Sequence, residues 1–72
     1  MVDKQELSAR LGQRLAELRS LKGFTQERLA YDAELNRAYV GYIERGERNP
    51  SVVTMAKIAL ALKVELHELF RL

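Results

Sequence analysis

The sequence predicts an all-α fold of five short helices, on three observations. Apolar residues recur at intervals of three and four rather than two, glycines and a single proline separate these stretches, and Ser, Thr, Asp or Asn precedes most of them. Seventy-two residues, 47% hydrophobic and 31% charged, suit one compact domain spanning 1–72, with a small core and a covering of charge. Cysteine is absent, so neither a disulfide nor a thiolate zinc site can reinforce that core. A second copy of the chain is the obvious remaining support.

In the first segment Leu7, Leu11, Leu15, Leu18 and Leu21 share a face. Asp3 with Glu6 resembles a capping box, and Gly23 stands where a left-handed terminator belongs, so a helix is expected over 3–22. Phe24 then reads as a staple and Thr25 as an N-cap for a second helix, which opens at Gln26 and turns Leu29, Ala30 and Ala33 inward. Asn36 caps a third helix, expected over 36–45, with Val40 and Ile43 inward and Gly46 as its stop. The run from Gly46 to Pro50 is a loop. Ser51 caps a fourth helix with Val52, Met55, Ile58, Ala59 and Leu62 on or near its buried side, and a fifth is expected over 65–72.

Several function classes fall away at this stage. The longest unbroken apolar stretch, Ile58 to Leu62, is far short of the roughly 20 residues that span a bilayer, so no membrane partner is expected. The opening residues carry acids and lack the apolar core of a signal peptide, which points to a cytoplasmic protein. With His67 as the lone histidine and no carboxylate pair beside a nucleophile, no enzyme activity, metal, cofactor or small-molecule ligand is expected.

The third helix carries the functional signal. At 100° per residue, Val40 and Ile43 point inward and the opposite side collects Arg37, Ala38, Gly41, Tyr42 and Arg45. A solvated surface is the plain alternative. Against it stands Gly41, because a mid-helix glycine costs about 1 kcal/mol relative to alanine. With Ala38 it makes a low strip that another surface could approach, flanked by guanidinium groups suited to guanine edges or phosphate. Residues 36–63 concentrate this charge, with Arg37, Arg45, Arg48, Lys57 and Lys63 against Glu44 and Glu47.

The pieces Lys22-Gly23-Phe24-Thr25-Gln26-Glu27, Leu29-Ala30, Tyr42-Ile43-Glu44-Arg45-Gly46, Arg48-Asn49-Pro50-Ser51 and Leu66-His67-Glu68-Leu69-Phe70 together resemble the lambda-repressor-like, Xre/Cro-type helix-turn-helix family over residues 14–70. Within it the chain is most similar to controller proteins of restriction-modification systems. The resemblance implies a five-helix DNA-binding domain with the helix-turn-helix at helices two and three, and a homodimeric transcriptional regulator on a near-palindromic double-stranded operator. Gln26 would bond a phosphate, Arg37, Ala38, Tyr39 and Tyr42 would read or touch bases, and Arg45, Arg48 and Asn49 would grip the backbone. For Tyr39, packing or a phosphate contact is as plausible as a base contact. Glu44 would pair with Arg19 in a structural role. The alternative function is an antitoxin-type protein that binds a toxin polypeptide as well as its own promoter.

Two positions depart from the family pattern. Glu34 stands at the corner where glycine is usual, and Glu65 stands where a better cap is common. Finally, Leu66, Leu69 and Phe70, with Val64 and Leu72, offer more apolar surface than five small helices hide. Closing the monomer core is one use for them, and a two-fold interface is the other.

Overall fold

The computed structural model describes residues 3–72, which form four α-helices and a terminal 3-10 turn. The helices are α1 (Lys4–Leu21), α2 (Gln26–Asp32), α3 (Arg37–Glu44) and α4 (Val52–Leu62). Each begins where a side chain can accept from free amides: Asp3, Thr25, Asn36 and Ser51 all cap the helix that follows.

All four also end alike. The residue after the C-terminal turn takes a positive φ and the next one donates back into the helix, which is the Schellman arrangement. Its longer bond runs from Phe24 N to Arg19 O, from Leu35 N to Ala30 O, from Glu47 N to Tyr42 O and from Val64 N to Ala59 O, at 3.0, 2.8, 2.8 and 3.0 Å. The left-handed residue is Gly23 at φ 76° and Gly46 at φ 77°, but Glu34 at φ 57° and Lys63 at φ 59°. The corner between α2 and α3 therefore keeps its left-handed geometry despite the glutamate, at a cost of about 1–2 kcal/mol.

The fifth expected helix is not an α-helix. Leu66–Phe70 winds as a 3-10 turn, because five residues are too few to sustain α hydrogen bonding and a short segment tightens instead. Glu68 accepts from the Glu65 amide at 2.9 Å, and the Arg14 guanidinium of α1 donates to the Glu68 carbonyl at 2.8 Å, so tertiary contact fastens the turn.

The core joins Leu15 and Leu18 of α1, Leu29 and Ala30 of α2, Val40 and Ile43 of α3, Met55, Ile58, Ala59 and Leu62 of α4, and Leu69 of the terminal turn. α1 packs on α3 and on the terminal turn, while α2 packs on α3 and α4. The leucine stripe of α1 is buried only in its middle. Leu7 and Leu21 are exposed, since an 18-residue helix runs about 27 Å and outreaches the shorter elements beside it. Val52, at the first turn of α4, also faces solvent.

Candidate nucleic-acid interface

α3 is held against α1 by two devices. At the crossing, Gly12 lies so close to α3 that a Cβ there would stand 2.2 Å from the Ile43 carbonyl oxygen and 2.6 Å from that of Glu44. Beside it, Glu44 accepts from Arg19 Nε at 2.6 Å and Nη2 at 3.2 Å, and Arg19 Nη1 donates to the Phe24 carbonyl at 2.6 Å. The Glu44 side chain is 7% exposed and that of Arg19 17%, so the pair is largely removed from water. It ties α1, α3 and the entrance to α2 together.

Gln26 completes this network. Its Nε2 donates to Glu44 Oε1 at 2.8 Å, which settles the amide orientation, because a carboxylate already facing a guanidinium can only accept. The amide oxygen consequently faces Gly41 across the first turn of α2. Glu44 thus turns its charge inward toward Arg19 and Gln26.

The outward side of α3 presents Arg37 and Ala38 exposed, with Tyr42 partly so. Tyr39 is half-buried and packs against the core from the flank of the helix. Gly41, expected to lie open, is buried, and the covering atoms explain why. A Cβ built there would meet Arg45 Nη1 at 3.1 Å and Gln26 Oε1 at 3.7 Å. The nearest covering atoms are the ends of two long polar side chains, of which Arg45 is itself exposed and can swing away. Gln26, Arg37, Ala38, Gly41, Tyr42 and Arg45 line the resulting shallow depression.

Around it the charges are unevenly compensated. Arg45 and Arg48 both lie against the Tyr42 ring, 5.3 and 5.0 Å from its centroid. Arg45 Nε donates to Glu47 Oε2 at 2.8 Å, and this hydrogen bond holds the guanidinium pKa above the ordinary arginine value. Among the described residues no acid lies within ion-pair distance of Arg37 or Arg48. Asn49 is turned the other way, its side-chain amide hydrogen-bonded to the buried Ser8 hydroxyl of α1, which pins the loop after α3 to that helix.

Three residues important here escaped the sequence reading: Gly12, Ser8 and Glu47. Gly12 carried the same signal that drew attention to Gly41, a glycine inside a helix. Glu47 carried a subtler one. It follows the left-handed glycine of a helix stop, a position that Phe24, Leu35 and Val64 fill with apolar side chains at the other three stops.

At the other end of the molecule, Leu69 is fully buried within its own chain, and Leu66 is half-buried against the core. Leu69 is thereby removed from the surface available to a second copy. Phe70 and Leu72 remain 49% and 42% exposed, joined by Val53 and Leu60 of α4 at 67% and 81%. No helix among the described residues is long and apolar enough to cross a membrane, and those residues hold no cluster of three or more metal-ligating His, Cys, Asp or Glu side chains.

Comparison with known proteins agrees with this geometry. The helix-turn-helix family HTH_3 matches residues 15–69. The restriction-modification controller protein C.AhdI from Aeromonas hydrophila superposes with a TM-score of 0.85 at 53% identity, covering 86% of this chain and 94% of that one. Control protein C.MunI from Mycoplasma sp is 39% identical over 66 residues, 90% of this chain and 89% of its own length. Control protein C.BamHI from Bacillus amyloliquefaciens is 41% identical over 59 residues, 81% of this chain and 73% of its own. The chain belongs to the lambda-repressor-like, Xre-type helix-turn-helix family of DNA-binding transcriptional regulators.

Proposed function

We propose that this chain is a sequence-specific regulator of the restriction-modification controller type, acting as a homodimer on a near-palindromic operator. The observation that carries the reading is the outward face of α3, where Arg37 borders a depression floored by Gly41 and Ala38 and Arg48, in the loop that follows, lies over the Tyr42 ring at its edge, neither arginine having an ion-pair partner among the described residues. A helix of this kind fits a major groove about 12 Å wide. Arg37 and Tyr42 are assigned to base edges, with Ala38 against a thymine methyl. Gln26, Arg45 and Arg48 are assigned to backbone phosphates, for which the amides opening α2 add a favourable dipole. Asn49 holds the loop that presents Arg48. Tyr39, through its packing, sets the tilt of the face.

A dimer would place the two α3 helices about 34 Å apart, one turn of B-DNA. We assign its interface to Phe70 and Leu66 together with the exposed side of α4, on which Val53 and Leu60 share a face. α4 also packs on the terminal turn that carries Leu66 and Phe70. Phe70→Asp is expected to yield monomers at micromolar concentration in sedimentation equilibrium, because a charge would enter the apolar contact. An unchanged mass would move the interface elsewhere.

Selection of duplexes from a random pool, followed by titration of the recovered site at several salt concentrations, tests the DNA reading. Binding should weaken with salt at about 0.9 log units per phosphate contact per log unit of salt. A flat response would favour the second reading, an antitoxin-type protein, for which the exposed apolar side of α4 supplies a surface that a toxin polypeptide could cover.

A further inference from the structure

Glu47 has no part in the assignments above, yet its place in the fold is unusually well determined. Its amide donates to the Tyr42 carbonyl at 2.8 Å and it follows Gly46 at φ 77°, so the backbone that ends α3 also fixes where its side chain starts. The equivalent residues after α1, α2 and α4 turn an apolar side chain to the core, whereas Glu47 is exposed and meets Arg45 Nε at 2.8 Å. Arg45 in turn lays its guanidinium over Gly41, closing the depression from above.

We propose that Glu47 is an affinity-setting residue that occupies Arg45 in the free protein and must be displaced by a DNA phosphate before the Gly41 strip opens to the groove. This rests on the DNA-binding reading and refines it. Arg45 can satisfy one anion at its Nε edge, and the carboxylate and a backbone phosphate are chemically equivalent claimants for it. The carboxylate is tethered two residues away and is present before any duplex arrives. Binding therefore exchanges one ion pair for another and leaves an uncompensated acid beside the phosphates, which lowers affinity on every sequence alike. The neighbouring Arg48, which has no ion-pair partner among the described residues, carries no such handicap.

The test is a double-mutant cycle on the full chain, read by fluorescence anisotropy with the selected operator duplex and with a random duplex at near-physiological salt. Glu47→Gln is expected to tighten both by about 3–10-fold, the range open to an exposed ion pair plus relieved repulsion. In an Arg45→Ala background the same change should give a distinctly smaller gain, because only the relieved repulsion remains. An equal gain in both backgrounds would show that Glu47 acts only through net charge, and a loss of affinity would show that it touches DNA itself, for instance by accepting from a cytosine amino group. Either result overturns the proposal. If the parent chain binds no duplex at all, the DNA reading fails first, and this inference falls with it.

Discussion

The third helix has two seats, and they are built on opposite principles. Where α3 crosses α1, a glycine without room for a methyl group and a buried ion pair leave almost no freedom. Where α3 joins α2, the chain turns through Glu34 in a left-handed conformation that a glycine would hold more comfortably. The first seat determines how far the cationic face stands from the core. The second is a connection that tolerates strain, because Ala33 and Leu35 on either side of Glu34 are packed into or against the core. The orientation of α3 is fixed more tightly by the helix it crosses than by the turn that precedes it.

This contrast can be broken in order of expected effect. Glu44→Ala, or Arg19→Ala, should destabilise the fold by about 3–5 kcal/mol in denaturant titration, since each leaves the opposite charge buried without its partner. A loss below 1 kcal/mol would mean that water reaches the pair. Gly12→Ala should cost about 3 kcal/mol, because the atoms in the way are carbonyl oxygens of α3 that cannot rotate aside. Substitution on the outward side should behave differently. Arg37→Ala should leave the melting curve unchanged while weakening specific DNA binding by about 1–3 kcal/mol and relaxing preference at one base pair. Equal losses on specific and random duplexes would reassign Arg37 to a phosphate. The smallest effect belongs to the strained seat: Glu34→Gly should stabilise the protein by about 1 kcal/mol without altering the preferred operator. A change of operator would show that the corner does set the angle of α3.

Much of this was legible in advance where the controlling interaction is local. The caps at Asp3, Thr25, Asn36 and Ser51 and the stops at Gly23 and Gly46 involve partners within six residues, so the residue types announce them. The outward face of α3 was also legible, since a helical wheel needs only a known inward direction. Other features were not. Glu34 and Lys63 end their helices just as glycines do, with nothing in their chemistry to say so. Leu21 and Leu69 occupy comparable places in their apolar patterns, but one is 79% exposed and the other fully buried.

The two mid-helix glycines show where the boundary lies. From residue type alone, Gly12 and Gly41 pose the same question, a helix weakened by about 1 kcal/mol for some unstated return. The sequence by itself determined that this is an all-α chain with a cationic third helix, because caps, stops and helical periodicity are written in neighbouring residues. Only the tertiary structure decided that Gly12 admits the backbone of α3, that Gly41 lies beneath Arg45 and Gln26, and that Leu69 belongs to the core. Gly12 against α3, Gln26 over Gly41 and Leu69 in the core each depend on which surfaces meet across the molecule, and close packing between elements distant in the chain has no counterpart in the spacing of residues along it.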